Sequence, residues 1–174
     1  NQELPLISKD NEIKNTIRAT QYKSLNEAKN MTGKASFYFS AVNSLDGSDV
    51  RISKRTFIPY SRLRGFEKGK VGPIDSGDYV GGNYASALNL EAQLPNLLPE
   101  ATQTDVAAFV DFANLWSVDY DSSAGSSSKI RSSVGVTTQL YTPIGPVNFV
   151  LAQPISQADS DKTQTFKFQI GTSF

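Results

Sequence analysis

The chain has 174 residues, with 17 basic and 17 acidic side chains and neither cysteine nor histidine. It is long enough for one domain with a sizeable core, and its balanced charge provides no bulk attraction to nucleic acid. The absent residue types exclude disulfides, thiol chemistry, zinc sites with His or Cys ligands, and catalysis by Ser-His or Cys-His pairs. No apolar run approaches the ~20 residues of a transmembrane helix, which leaves a soluble β protein or a transmembrane β-barrel. The chain begins at Asn1 without a methionine or an apolar signal segment, so we expect a piece of a longer precursor.

Apolar and polar residues alternate along most of the chain, which is the periodicity of a β-strand. After a short stub at Asn1–Ser8, the alternation runs through Asn11–Ser24, Lys34–Val42, Tyr84–Leu94, Val106–Trp116, Ile130–Tyr141, Val147–Gln153 and Gln164–Phe174. No segment has a convincing helical period. The sequence therefore predicts an all-β fold of about seven to eight antiparallel strands, each roughly ten residues long.

The connections between the strands differ in a regular way. Every second connection is longer or more polar, and these are Arg62–Pro73 within the long polar segment Leu45–Asp78, Ser117–Ser128 and Ser156–Lys162. The shorter ones between them are Leu25–Thr32, Pro95–Thr104 and Thr142–Pro146. Such asymmetry between the two ends of the strands is typical of a membrane barrel. A soluble β-sandwich also alternates, and it stays open as the alternative.

In a membrane barrel, alternate side chains of each strand face lipid and lumen. The side chains expected to face lipid are Ala35, Phe37, Phe39, Leu88, Leu90, Val110, Phe112, Val134, Val136, Phe149, Phe168 and Ile170. Those expected to face the lumen are Lys34, Asn89, Glu91, Asp111, Arg131, Asn148 and Gln169.

The longest connection contains the stretch R-L-R-G-F-E-K-G-K-V-G-P at Arg62–Pro73. Its glycines and proline indicate backbone that is neither helix nor strand. A loop of this length in a compact fold is usually functional or disordered. Aromatic and apolar residues such as Phe57, Tyr60 and Phe66 argue against disorder. We therefore expect an ordered, positively charged loop that packs onto the rest of the protein.

Two acids stand out on the polar parity of consecutive strands. Glu91 and Asp111 are each the single acid in the core of their strand. A symmetric hairpin between the two strands would set the carboxylates about level on one face of the sheet. They could form an acid–base pair, as in glycoside hydrolysis, or a seat for a guanidinium from Arg62 or Arg64. The seat is favoured, because two like charges side by side are costly without a cation between them.

The segment Leu63-Arg64-Gly65-Phe66 resembles the (V/I)RGF signature of the bacterial surface-antigen family, the BamA-type outer-membrane assembly proteins. Further segments follow in the family's order, namely Gly72-Pro73, Gly81-Gly82, Leu90-Glu91, Asp111 before Trp116, Tyr141–Pro146 and the ending Phe166–Phe174. The resemblance extends over essentially the whole chain. Leu63 departs from the family's usual first position, which leaves the arginine unaffected.

The resemblance implies the C-terminal half of a sixteen-stranded transmembrane β-barrel. Residues 1–174 would then be one portion of the barrel domain, with loop 45–78 folded into the lumen. The periplasmic POTRA domains and the first strands of the barrel would be absent from this chain. The resemblance also implies that Arg64 pairs with Glu91 and Asp111 on the wall of the lumen.

The function implied is the folding and insertion of β-barrel proteins into the bacterial outer membrane. The chain is then expected to be no enzyme and to need no cofactor or metal. The partners implied are outer-membrane lipid, unfolded β-barrel precursors, assembly lipoproteins and the remainder of its own barrel, but not nucleic acid. One alternative is a two-partner-secretion or TamA-like barrel that passes a polypeptide through its lumen. Another is a soluble carbohydrate-active β protein that uses Glu91 and Asp111.

The last strand carries an outward row of Phe166, Phe168 and Ile170 that ends on the terminal Phe174. A terminal aromatic residue on such a strand resembles the assembly signal of outer-membrane barrels. Gly171 interrupts the inward row and weakens pairing locally, because it has no side chain to pack. We expect Ile170–Phe174 to be the least firmly paired part of the sheet and, by resemblance, one edge of a lateral gate.

Overall fold

The structure, a computed structural model, describes residues 2–3, 12–26, 30–95, 97–99, 103–119, 129–143 and 145–171. The strands within these residues are β1 (Gln2–Glu3), β2 (Glu12–Asn26), β3 (Met31–Ser44), β4 (Ile74–Asp75), β5 (Asp78–Tyr79), β6 (Tyr84–Gln93), β7 (Thr104–Trp116), β8 (Arg131–Thr142), β9 (Gly145–Ser156) and β10 (Phe166–Ile170). Eight of them form one sheet in the order β1, β2, β3, β6, β7, β8, β9, β10, and β4 pairs with β5. Every pair is antiparallel, so the all-β antiparallel fold predicted from the alternation is confirmed. In the same residues, no helix has the length and apolar character needed to cross a membrane.

Several strands are longer than the alternation indicated. β3, for example, extends beyond the predicted Lys34–Val42 at both ends. β9 continues through Pro154, whereas the sequence predicted a strand end at Gln153. Pro154 lies opposite Ser133, next to a register shift between Ser132 and Ser133. The sheet accommodates a proline there, because the regular ladder is already interrupted at a bulge.

The two faces of the sheet differ in chemistry. The face that carries Phe37, Leu88 and Phe112 is here called the apolar face, and the face that carries Asn89 and Asp111 the polar face. Leu88 and Phe112 are 40% and 37% exposed despite their size, whereas Asn89 and Asp111 are 6% and 0% exposed. The strand registers put the side chains predicted for lipid on one face and those predicted for the lumen on the other, so this division is confirmed. Large apolar side chains exposed in a contiguous patch are characteristic of a surface that meets lipid or another apolar partner.

The connection between β3 and β6, residues 45–83, packs onto the polar face. It contains two short 3-10 turns, Ile52–Lys54 and Tyr60–Arg62, followed by the β4–β5 hairpin. Its apolar side chains share one buried cluster with residues of the sheet; the members are Ile58, Leu63, Phe66 and Val71 from the loop and Tyr38, Ala85, Ala87, Ala113 and Leu115 from the strands. The three alanines leave space above the sheet, and the loop fills that space with its larger side chains.

Candidate functional site

Arg64 is the centre of the site, and its guanidinium is bonded to both predicted acids. Nε and Nη2 donate to the two oxygens of Asp111, each at 2.8 Å. Nη1 donates to Oε2 of Glu91 at 2.9 Å. The backbone N–H of Arg64 also donates to Asp111 at 3.0 Å. A planar guanidinium can form two parallel bonds to one carboxylate and a third to another, a geometry that lysine does not have.

The symmetric hairpin predicted that the two acids lie about level, and this prediction is wrong. β6 and β7 pair two positions away from that register, so that Asp111 lies opposite Asn89 and Glu91 lies opposite Phe109. The acids are therefore diagonal neighbours on the polar face. The diagonal leaves room for the ring of Phe109, whose centroid is 3.5 Å from Cζ of Arg64. The cation thus rests on an aromatic face and is flanked by two carboxylates.

Asp111 is fully buried, and all of its bonding capacity is used. Arg64 donates three hydrogen bonds to it, and Nδ2 of Asn89 donates a fourth at 2.9 Å. The same Nδ2 donates to the carbonyl oxygen of Arg62 at 2.9 Å, while Nη1 of Arg62 donates to Oδ1 of Asn89 at 3.3 Å. Arg62 itself lies over the ring of Tyr38, 5.6 Å from its centroid. Of the two arginines considered as occupants of the seat, Arg64 takes it and Arg62 supports it from the side.

The electrostatics of the loop favour a permanent charge pair. Burial on its own would lower the pKa of Arg64, but the hydrogen bonds and charges of Asp111 and then Glu91 outweigh it and raise that pKa above its ordinary value. Burial also raises the pKa of the neighbouring Tyr60 hydroxyl to about 12. Arg64 therefore stays charged and Tyr60 neutral at physiological pH. With both carboxylates bonded to one fixed cation, the geometry favours the guanidinium seat over an acid–base pair.

The other residues of the L-R-G-F motif fix the arginine in place. Leu63 and Phe66 are 2% and 1% exposed and belong to the cluster that anchors the loop on the sheet. Gly65 has a φ of +90°, and a Cβ there would lie 3.1 Å from Cβ of Ala152. The carbonyl oxygen of Arg64 accepts a hydrogen bond from Oγ of Ser133 at 2.5 Å. Glycine suits the turn because it adopts positive φ without strain and lets the backbone approach the sheet closely.

Gly135 lies directly under the site, since it is paired with Phe109 across β7 and β8. A Cβ at this position would lie 2.1 Å from the carbonyl oxygen of Leu151 and 2.7 Å from Cζ of Phe109. We expect Gly135→Ala to destabilise the full-length barrel by about 1–3 kcal/mol or more, because backbone and ring must both shift. The loss of stability is measured by heating samples before electrophoresis and recording the temperature at which the band of the folded protein gives way to the band of the unfolded protein. Val136→Ala, the exposed neighbour on the apolar face, should stay within about 0.5 kcal/mol, and equal losses for the two variants would contradict the prediction.

A second buried ion pair was not found from the sequence. Nε of Arg131 donates to Oδ2 of Asp161 at 2.9 Å and Nη2 to Oδ1 at 3.2 Å. Both side chains are fully buried. Arg131 was predicted to face the lumen, but Asp161 lies in an irregular polar segment whose sequence gives no indication of a partner 30 positions away. The sole signal was a charged residue at the inward-facing start of β8.

The predicted last-strand residues are divided between described and undescribed parts of the chain. Phe166, Phe168 and Ile170 lie exposed on the apolar face, at 51%, 57% and 61%. Within the described residues, β10 pairs with β9 at five positions, of which Ile170 with Val147 is the last. Gly171 has a φ of +93°, and its N–H donates to the carbonyl oxygen of Pro146 at 2.8 Å. Phe174 lies outside the described residues, so the weak pairing expected for Ile170–Phe174 stays a prediction.

The fold and the site together define a β-sheet of the outer-membrane barrel class, with a loop held on its polar face by an ion pair. The Omp85 superfamily domain matches residues 2–174, and the chain belongs to this superfamily. It is 31% identical over 136 residues to the outer membrane protein assembly factor BamA of Neorickettsia risticii, which covers 74% of this chain and 18% of that protein. It is 26% identical over 141 residues to the outer membrane protein assembly factor BamA of Neisseria meningitidis serogroup B, covering 64% of this chain and 17% of that protein.

A solved structure agrees with this assignment. The crystal structure of BamA from Haemophilus ducreyi lacking POTRA domains 1–3 matches with a TM-score of 0.80 and 25% identity, covering 95% of this chain and 35% of that one. The resemblance to BamA-type proteins is therefore confirmed, and with it the bacterial outer membrane as the location. The two relatives by sequence are named as assembly factors, which are not classical enzymes. The chain spans less than a fifth of the length of each, at 18% and 17%.

Proposed function

We propose that this chain is part of a barrel that folds β-barrel proteins and inserts them into the bacterial outer membrane. The observation that carries the proposal is the set of bonds from Arg64 to Glu91 and Asp111, here called the clamp. Arg64 lies in loop 45–78, here called the RGF loop. The names of the relatives, outer membrane protein assembly factors, support it. The same clamp argues against catalysis by the two acids, because both are already engaged by the arginine.

In this proposal the apolar face of the sheet meets lipid and the polar face lines the lumen. Loop 45–78 then lies inside the barrel, which agrees with its packing against Tyr38, Ala85 and Leu115. The resemblance implies that the remainder of the barrel and the POTRA domains would lie outside residues 1–174. A lumen-filling loop that is clamped to the wall gives one side of the barrel a rigid support.

The last strand supplies the moving part of the proposed mechanism. Hydrocarbon makes unpaired strand edges very unfavourable, so an unfolded precursor needs a partner edge as it enters the membrane. β10 is the last strand in the sheet order, and its pairing with β9 is short. A seam between β10 and the first strand of the barrel could open with the loss of few ladder bonds and offer its edge to a precursor, which is β-augmentation inside a membrane. Phe166, Phe168, Ile170, Gly171 and Phe174 would form this edge and its signal, with lipid, precursors and assembly lipoproteins as partners.

A disulfide across the seam tests the proposal. In the full-length protein in liposomes, Gln169→Cys would be combined with a cysteine in the first strand of the barrel. We expect the oxidised protein to stay folded but to lose most of its insertion of a β-barrel precursor, because the edge can no longer open. Reduction of the disulfide should restore insertion, and Gln169→Cys alone is the matched control.

The same experiment separates the proposal from its main alternative. A barrel of the two-partner-secretion or TamA-like type would pass a polypeptide through its lumen, and such passage does not need an open seam. Full insertion activity in the oxidised form would therefore remove the gate from the proposal. Passage of an unfolded polypeptide into the liposome interior, without its insertion, would favour the translocating barrel.

A further inference from the structure

We propose that Arg131 and Asp161 form a second clamp, which positions the last strand of the sheet against the RGF loop. Arg131 stands at the start of β8, and Asp161 lies in the connection between β9 and β10. Both side chains are fully buried, and two bonds join the guanidinium to the carboxylate at 2.9 Å and 3.2 Å. The inference rests on the proposed function, since it assigns a role to this pair at the same seam.

Each partner is itself held from a second direction. Nη1 of Arg131 donates to Oδ1 of Asn114 at 2.7 Å and to the carbonyl oxygen of Lys129 at 3.2 Å. Asp161 accepts the N–H of Ala158 at 2.7 Å and the N–H of Gly72 at 3.4 Å. The carboxylate therefore joins three parts of the chain, namely the start of β8, its own connection and the RGF loop. A buried carboxylate with this many donors is fixed in position rather than mobile.

The chain segment that follows Asp161 is hydrogen-bonded to the RGF loop by its backbone. Lys162 donates to the carbonyl oxygen of Lys70 at 3.0 Å and accepts from Glu67 at 2.9 Å. Gln164 donates to the carbonyl oxygen of Gly65, next to Arg64, at 2.9 Å. An isolated β-bridge between Phe66 and Thr163 lies within the same run. The loop thus pairs like a short extra strand with the residues that lead into β10.

β10 also contacts the loop through a side chain. Nζ of Lys167 lies 3.6 Å from the ring centroid of Tyr60, which sits in the 3-10 turn just before the motif. Cation–π contacts of this kind add to the attachment of a strand to its neighbour. One path of contacts therefore leads from Asp111 through Arg64 and the loop backbone to the start of β10. Arg131 and Asp161 hold the other end of that path.

Because both clamps hold the segment before β10 through one path of contacts, their effects on that segment are coupled. If either clamp is released, the segment before β10 loses a fixed position, and a second release adds little. Independent contacts would instead contribute separately, and their effects would add. The arrangement makes Arg131 and Asp161 positioning residues for the seam, acting through the backbone of residues 162–165.

The test uses the full-length protein with the seam cysteines described above, and it measures the rate of disulfide formation across the seam. We expect Asp161→Asn to lower this rate about tenfold or more. The substitution breaks the buried ion pair and leaves Arg131 without its partner charge, which is strongly destabilising. Arg131→Lys keeps the charge but loses the planar fork, so it should give an intermediate rate. Asp159→Asn is the matched control, since Asp159 is an exposed acid in the same connection, and it should leave the rate unchanged. An unchanged rate in Asp161→Asn or in Arg131→Lys overturns the inference.

A double variant tests the coupling. Arg64→Lys combined with Asp161→Asn should slow the disulfide no more than about twofold beyond the stronger single variant, whereas independent contacts would multiply the two effects. A multiplied effect overturns the single path. The readout needs no precursor, so the inference and the proposed function fail separately. A slower disulfide with normal precursor insertion would support the clamp and count against the gate.

Discussion

Arg64→Ala in the full-length barrel is expected to destabilise the folded state by about 3–5 kcal/mol, because it leaves the fully buried Asp111 without its cation. The variant also removes the clamp between the loop and the sheet, so precursor insertion should fall with stability. Arg64→Lys should recover part of the loss, since an ammonium replaces the charge but cannot bond to both oxygens of Asp111 and to Glu91 together. The temperature at which the folded band converts to the unfolded band on a gel measures stability. The insertion of a β-barrel precursor into liposomes measures activity.

Arg62→Ala is the matched control for this prediction. Arg62 lies two positions earlier in the same loop and is half-buried, and within the described part of the chain its side chain makes one hydrogen bond of 3.3 Å and one ring contact. We expect its loss to cost about 1 kcal/mol, as is usual for a single hydrogen bond. An equal loss of stability in Arg64→Ala and Arg62→Ala would mean that the bonds of Arg64 to the two acids stabilise the barrel no more than the single hydrogen bond of Arg62 does.

The strands and their faces could be predicted because alternation is a local property of the sequence. A side chain on one parity reaches one face of the sheet whatever the rest of the chain does, so Asn89 and Phe112 were assigned correctly without knowledge of their neighbours. The register could not be predicted in the same way. It depends on the geometry of the connection between β6 and β7, and Asp111 accordingly pairs with Asn89 rather than with Glu91.

The long-range contacts of the loops were harder to infer. Arg64 could be assigned to its acids because a motif resemblance and the parity of Glu91 agreed. Asp161 had neither, since its segment has no periodicity and its partner Arg131 is 30 positions away. Its bonds follow from the tertiary fold, which brings Gly72 and Ala158 to the same carboxylate. Such a site becomes visible only when three separate parts of the chain are placed together.

The clamp also favours one register between β6 and β7. A slip of one residue would turn Asp111 to the apolar face and put Phe112 under the loop. A slip of two residues would keep the faces but move Phe109 away from the guanidinium that it now supports at 3.5 Å. Buried ion pairs are weak evidence for stability, and selecting one geometry among several is their better-attested role. The diagonal placement of Glu91 and Asp111 around an aromatic ring is such a selection.

The unequal burial of the two acids leads to a ranked prediction. Asp111 has a side chain that is 0% exposed and accepts four hydrogen bonds, whereas Glu91 has a side chain that is 20% exposed and accepts one from Arg64. We expect Asp111→Asn to cost about 3–5 kcal/mol, because the substitution removes the charge and replaces one acceptor by a donor beside a buried cation. Glu91→Gln should cost about 1.5–3 kcal/mol at most, since water can reach part of the side chain.

Asp105→Asn provides the control within the same strand. Asp105 is an exposed acid of β7 on the polar parity, and its partner is the hydroxyl of Tyr141 at 3.0 Å. Its replacement should stay within about 0.5 kcal/mol, as for most surface positions. The conversion temperatures of the three variants are measured in the same detergent. The temperature should be highest for Asp105→Asn, lower for Glu91→Gln and lowest for Asp111→Asn. If Glu91→Gln lowered the conversion temperature as much as Asp111→Asn, the two carboxylates would contribute equally to the clamp. The prediction that the buried pair of Arg64 with Asp111 is the part that fixes the loop would then be wrong.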